Sequence, residues 1–162
     1  MKTKEEWINE LHLEPHPEGG YYLRTEEATE KINRNSLMRP LYTSIYFLLT
    51  KDNPSHLHQL TADEIWYYHD GAPLTVHCLY EDGRYEAIKL GKDITNGERL
   101  HFCVPAGTIF GSTVAQEYSL VSCAVVPGFD FADFKLFTQE ELLVKYPQHE
   151  GLIKHLAFET ID

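Results

Sequence analysis

Basic side chains are scarce in this sequence: 14 Lys and Arg stand against 25 Asp and Glu, leaving a formal charge of −11 with nine His counted neutral. A wide phosphate-binding surface would fight that field, which argues against nucleic acid as a partner. No apolar run approaches the ~20 residues that a membrane helix requires, the longest candidate lying around Ile45 to Leu49. No membrane span is expected. The first residues, Met1-Lys2-Thr3-Lys4-Glu5-Glu6, lack the apolar stretch of a secretory signal, so cytoplasmic residence is the expectation. Cysteine is rare as well. Cys78, Cys103 and Cys123 are odd in number and lie singly in apolar segments, with no C-x-x-C spacing, so they read as buried thiols rather than a disulfide frame or a zinc knuckle.

What is present is ordinary globular composition: 162 residues, 43% hydrophobic and 24% charged. That length suits one domain spanning residues 1–162 with enough core to fold unaided. The pattern is mainly β. Runs at Leu41 to Leu49, Ile65 to Tyr68, Leu74 to Tyr80, Tyr85 to Leu90, Leu100 to Val104 and Tyr118 to Val126 are divided by Gly, Pro and Asp turn signals. Strands spaced by about 8–12 residues predict an antiparallel sandwich or barrel. Thr3 with Glu6 and Thr138 with Glu141 stand at capping-box spacing. They predict a short N-terminal helix and a C-terminal helix ending near Tyr146-Pro147, with a second short helix over about 150–158. The stretch from Glu26 to Arg39 is polar and reads as a loop.

The densest group of ionisable residues is Ser55-His56-Leu57-His58-Gln59-Leu60-Thr61-Ala62-Asp63-Glu64-Ile65-Trp66, closed by Gly71. In an extended strand His56 and His58 share a face, and two imidazoles with a carboxylate supply three ligands for Zn, Fe, Mn or Ni. Asp63 and Glu64 are neighbours on a strand, so only one of them enters the same space. The spacing resembles the first cupin motif. The second motif would place another His where this chain has Phe110, after Pro105-Ala106-Gly107-Thr108-Ile109.

A broader set of motifs resembles one branch, the cupin-5 domains of unknown function. It comprises Leu11-x-Leu13-x-Pro15-His16-Pro17-Glu18-Gly19-Gly20-Tyr21-Tyr22-x-Arg24-Thr25, Ser44 to Leu49, Asp63-Glu64-Ile65-Trp66, Val104-Pro105-Ala106-Gly107 and Pro127-Gly128-Phe129-Asp130-Phe131-x-Asp133-Phe134. The resemblance implies an all-β double-stranded β-helix, or jelly-roll barrel, with short terminal helices, an internal pocket and a homodimer. It implies no particular reaction. The branch carries Ser-x-x-His-Arg before its Asp-Glu pair, which matches Ser55 and His58 and puts Gln59 where Arg is usual.

These residues define the expected site. His58 and Glu64 are the catalytic candidates; His56, His58 and Glu64 are the metal candidates. Tyr22, Arg24, Tyr46, Trp66 and Phe110 are candidates for contact with a small polar metabolite, although strand aromatics are more often plain core, the reading favoured for Phe110 and Tyr46. His16, Glu18, Tyr22 and Arg24 either close the pocket mouth or brace a neighbouring strand. The segment Pro127 to Phe134 reads as packing. Three functions stay open: a metal-assisted enzyme, a metal-free epimerase or isomerase with His58 titrating near neutrality as its base, and a ligand-binding module without turnover.

Overall fold

The computed structural model describes residues 1–162. Helix α1 (Lys4–Glu10) starts at Thr3 with the reciprocal Thr3–Glu6 capping box. Short strand β1 (Glu14–Pro15) and the Gly19-Gly20 turn lead into β2 (Tyr21–Glu27). Strands β3 (Lys31–Arg34), β4 (Leu37–Pro40), β5 (Thr43–Thr50), β6 (Ser55–Leu60) and β7 (Asp63–Gly71) follow. Next come β8 (Leu74–Leu79), β9 (Tyr85–Leu90), β10 (His101–Val104), β11 (Ile109–Val114), β12 (Tyr118–Val126) and β13 (Phe134–Leu136). Helices α2 (Gln139–Lys145) and α3 (Glu150–Leu156) close the chain, α2 behind the Thr138–Glu141 capping box.

Two antiparallel sheets pack face to face as a jelly roll, one ordered β1-β2-β5-β12-β7-β10 and the other β13-β6-β11-β8-β9. Side chains alternate across each strand. Ile45 and Cys123, paired on adjacent strands, point between the sheets, while the neighbouring pair Tyr46 and Ser122 points out. One end of the interior is plugged by large rings and aliphatics, including Phe47, Trp66 and Phe110 with Leu74, Val76 and Leu90. The other end has Thr43, His58, Leu60, Glu64 and Val125, which leave a cavity.

The C-terminal helices roof the second sheet. Leu142, Ile153 and Leu156 pack on Leu57, Leu79 and Ile109 from its outer face. At roughly 1.5–3 kcal/mol per fully buried aliphatic side chain, this contact fixes the helices to the barrel. Helix α1 covers one end of the first sheet, laying Trp7, Ile8 and Leu11 on Leu48 and Leu120.

Two expectations change here. Residues 26–39 are not a plain loop: β3 and β4 form a hairpin whose turn residues, Asn35 and Ser36, both have positive φ (51° and 67°). That conformation matches the right-handed strand twist, and Asn takes it at small cost. Cys103 is exposed rather than buried, because β10 is an edge strand and Cys103 lies on its outer side.

Candidate functional site

A cavity of about 550 Å³ opens at the unplugged end of the barrel. Its floor is polar and buried: Glu18, His16, His58, Glu64 and Cys123 all line it. Tyr22, Ile45, Leu60, Phe129 and Phe134 form the walls, and Arg24, Glu27, Lys31, Asp130 and Phe131 surround the mouth. The rim is tied together rather than loose. Arg39, 8% exposed, grips Asp133 through Nε–Oδ2 at 2.6 Å and Nη2–Oδ1 at 2.9 Å, joining the β3–β4 hairpin to the Phe129 to Phe134 segment. The Gly128 N–H donates to the Pro40 carbonyl at 2.7 Å in the same joint.

Glu18 is the hub of the floor. The Ser55 hydroxyl donates to its Oε2, His58 Nε2 lies 3.2 Å from that oxygen, and His16 Nδ1 lies 3.3 Å from Oε1. The Gly19-Gly20 turn puts it there. Gly19 has φ 111°, and a Cβ at that position would run into the Pro54 carbonyl, so the turn that aims Glu18 inward needs a residue without a side chain.

Proton positions follow from the partners. His58 Nδ1 lies 2.7 Å from the His56 carbonyl oxygen, which only accepts, so Nδ1 carries the hydrogen and Nε2 of the neutral ring offers a lone pair to Glu18. Burial pushes His58 down to about 3 and His16 down to about 4. Burial, reinforced by the charge of nearby Glu64, pushes Glu18 well above the usual carboxylate range. The pair is therefore a neutral carboxylic acid against a neutral imidazole, because neither charge is solvated in the floor. Burial also lifts Glu64 to about 7, opposed by a hydrogen bond from the Cys123 thiol. The group poised near neutrality is thus Glu64, not His58 as the sequence suggests.

The candidate residues divide sharply. His58, Glu64, Tyr22 and Arg24 line the cavity. Asp63 faces out and accepts the Ala106 N–H at 2.8 Å, which settles the Asp63/Glu64 alternation in favour of Glu64. His56 is corrected: it does not share the face of His58. Phe110 pairs with His58 but Ser112 pairs with Ser55, so β6 carries one extra residue there, a bulge. The bulge turns Ser55 inward in place of His56, whose ring stacks on Phe158 at 3.7 Å between centroids. Gly111 permits this, since a Cβ there would crowd the Ser55 carbonyl.

Three aromatic candidates are also corrected. Tyr46 lies on the outer face, one residue out of phase with Ile45. Trp66 and Phe110 are fully buried in the plug, with Phe110 backing the His58 ring at 4.2 Å. Conversely, the segment read as packing supplies Phe129, Asp130, Phe131 and Phe134 to the cavity. Its alternating acids and rings were the available signal. Lys31, Met38 and Pro40 reach the site through the hairpin, whose polar sequence gave no comparable sign.

The expected ligand set for a divalent metal does not fit. His56 faces away, a phenyl ring stands at position 110, and His58 and His16 each engage Glu18. No group of three His, Cys, Asp or Glu side chains is arranged to hold an ion.

The fold is a jelly-roll barrel closed at one end by hydrocarbon and holding sheltered acids and imidazoles at the other. Residues 5–137 match the family model described as Cupin superfamily (DUF985), and the chain belongs to that family. It is 32% identical over 152 residues to the Saccharomyces cerevisiae uncharacterized protein YML079W, covering 84% of this chain and 76% of that one. A hypothetical protein from Leishmania major superposes with TM-score 0.95 at 45% identity, over 98% of this chain and 100% of the other. Protein SO0799 of Shewanella oneidensis does so with TM-score 0.93 at 43% identity, over 99% and 100%. Bacillus subtilis oxalate decarboxylase shares the fold at 16% identity, with TM-score 0.57 over 92% of this chain and 38% of its own. No helix is long and apolar enough to cross a membrane.

Proposed function

We propose that the cavity is a proton-transfer site that isomerises or epimerises a small, polar, carbonyl-bearing metabolite without a metal ion. The observation that carries this reading is the floor itself. Two carboxyl groups there share one buried space, Glu64 at about 7 and Glu18 held higher, beside an imidazole kept neutral. Titratable groups pushed apart in this way supply a base and an acid together at neutral pH.

The chemistry balances with no co-reactant. Ionised Glu64 takes the proton from a carbon next to the carbonyl, breaking the C–H bond, while Glu18 gives its proton to the carbonyl oxygen. In an isomerisation the enediol collapses as Glu64 returns its proton to the former carbonyl carbon and Glu18 takes a proton from the hydroxyl on the carbon that lost its hydrogen. In an epimerisation the enol turns over, Glu64 reprotonates the original carbon on its other face, and Glu18 takes back the proton it gave to the oxygen. His58 Nε2 holds the Glu18 carboxyl in position and, with Ser55, favours one orientation of its acid hydrogen. Arg24 and Lys31 at the mouth suit an anionic or heavily hydroxylated end of the substrate.

The test is solvent exchange. The protein is incubated in D₂O with a panel of aldoses, ketoses and 2-keto acids and followed by proton NMR. Deuterium at a carbon beside the carbonyl, lost in Glu64→Gln, supports the reading. Tight binding of a panel member with no exchange replaces it with a carrier or sensor function.

A further inference from the structure

His16 is buried in the cavity floor, 9% exposed, and only one of its ring nitrogens has a partner. Nδ1 accepts the backbone N–H of Glu18 at 3.1 Å and lies 3.3 Å from Glu18 Oε1. An amide N–H only donates, so Nδ1 holds a lone pair. Burial keeps the ring neutral down to about 4, and a neutral imidazole with a lone pair on one nitrogen carries its hydrogen on the other. The tautomer is therefore Nε2–H. That is the reverse of His58, whose hydrogen sits on Nδ1 and whose Nε2 faces Glu18. Both rings turn a lone pair to the same carboxyl group, and His16 has a hydrogen left over.

No protein acceptor takes that hydrogen, since the ring's hydrogen bond runs through Nδ1. The polar side-chain atoms sealed from solvent without a partner are Trp66 Nε1, Ser112 Oγ and Ser119 Oγ. His16 Nε2 is not one of them, although the residue is buried and this nitrogen is unbonded, so it opens on the cavity that the ring lines.

The surrounding chain holds the donor still. Pro15 and Pro17 flank His16, and a residue before proline is confined to extended conformations. The His16 N–H donates to the Gly20 carbonyl at 3.0 Å, and the His16 carbonyl accepts the Gly19 N–H at 3.0 Å. Tyr22 meets the ring edge-on at 4.6 Å between centroids, with Phe47 and Phe134 at 5.7 and 6.0 Å. A donor fixed before the ligand arrives loses nothing to reorganisation, and such a donor is well suited to stabilise charge on a carbonyl oxygen.

We infer that His16 contacts the ligand directly, its Nε2–H taking the carbonyl oxygen and the negative charge that gathers there. This deepens the reading of the cavity as a site for a carbonyl-bearing metabolite and rests on it. Glu18 still delivers the proton to that oxygen. His16 shares its hydrogen without releasing it, so no bond forms or breaks at the ring. One residue thus serves both ends of the acid step: Nδ1 steadies Glu18, and Nε2 holds the atom that Glu18 protonates.

Two substitutions separate the nitrogens. In His16→Asn the new amide oxygen accepts the Glu18 N–H, a local bond that Asn forms readily two residues on, while the Nε2 donor is lost. In His16→Gln the longer amide returns an N–H near the Nε2 position and gives up the bond to the Glu18 N–H. The probe is glycolohydroxamate, a planar mimic of an enediolate, titrated into the whole protein by calorimetry and followed by long-range proton–nitrogen NMR of the imidazole. The free wild-type protein is expected to show a neutral His16 with its hydrogen on Nε2 at neutral pH. The probe should shift that N–H resonance, bind about tenfold more weakly to His16→Asn, and regain affinity in His16→Gln. Deuterium exchange into substrate should fall by about 10²–10³-fold in His16→Asn. A hydrogen on Nδ1, a probe that fails to bind at millimolar concentration or leaves the Nε2–H resonance unmoved, or equal affinity in His16→Asn overturns the inference. The NMR measurement needs only the wild-type protein and decides the matter if neither variant folds. A wild type that exchanges no deuterium overturns the proton-transfer reading alone, and a shifted Nε2–H resonance then still supports His16 as the donor to a bound oxygen.

Discussion

His58 Nε2 and Glu18 Oε2 lie 3.2 Å apart in the buried floor of the cavity, a neutral imidazole against a neutral carboxyl group. The imidazole has no way to carry charge there, since its other nitrogen already donates to the His56 carbonyl and desolvation penalises the cation. In the proposed reaction His58 accordingly positions the acid, and Glu64 takes the role of base.

That assignment fixes a pH profile. Exchange activity is expected to rise as pH passes through about 7, when the Glu64 carboxylate forms, and to fall at higher pH as the Glu18 acid is lost. His58 contributes no limb, because it has already lost its extra proton at about 3. Glu64→Gln should lower the rate by about 10²–10⁴-fold while ligand binding persists, measured by NMR exchange and by calorimetric titration.

Stability carries a matching signature. Below about 4.5 Glu64 is neutral whether the chain is folded or not; between 4.5 and about 7 only the unfolded chain releases that proton, so the folded state loses stability as pH rises. Glu64→Gln removes this loss. The melting temperature of the variant relative to wild type should therefore climb between about pH 4.5 and about 7 and level off above that in a calorimetric series. His16 and His58 act in the opposite direction. Their folded values sit below the ordinary 6.5, so stability falls as pH drops from 6.5 towards 4 and 3.

Gly111→Ala probes the β6 bulge. Its new methyl group would press on the Ser55 carbonyl and Leu156, and overpacking of this kind costs about 1–3 kcal/mol, read as a lower urea midpoint. The same variant should weaken ligand binding, since Ser55 and His58 both reach Glu18 from the bulged segment.

Phe131→Ala separates the mouth from the fold. The ring is 51% exposed, so its removal is expected to leave stability within about 0.5 kcal/mol of wild type. Ligand affinity should nonetheless fall, because the ring stands at the rim of the cavity. Parallel thermal melts and calorimetric titrations resolve the two effects.

Metal content gives an independent check on the donor geometry. Protein purified without an affinity tag should contain far less than one transition-metal ion per chain by elemental analysis, and a chelator should leave its melting temperature unchanged. A stoichiometric ion removed by His58→Ala would require the floor to rearrange.

The barrel was legible because its strands alternate and its turns carry Gly, Pro and Asp at regular intervals. Tyr85 to Leu90 and Tyr118 to Val126 emerged with the bounds that the pattern suggests. The two capping boxes located the helix starts for the same reason, since each is a local hydrogen-bonding motif. The site was less legible. Glu64 and His58 were within reach of alternation arguments, but alternation fails at a bulge, and this one depends on Gly111 of another strand. The shifts at Glu18 and Glu64 arise from burial and from each other across strands far apart in sequence, which no local spacing encodes. Lys31 arrives on a hairpin whose turn, Asn35-Ser36, lacks the glycine that would have announced it.

The extra residue in β6 also separates two kinds of barrel that the same amino acids could build. In a straight ladder His56 would sit opposite Ser112 and look inward beside His58, presenting two nitrogen donors to an ion; with the insertion a hydroxyl takes that place and the ring is parked against Phe158. Removing that one inserted residue, with the pairing of His58 unchanged, would thus turn the ring of His56 into the chamber in place of the Ser55 hydroxyl. Catalytic repertoire in such a scaffold is able to diverge through register alone, before any side chain in the chamber is replaced.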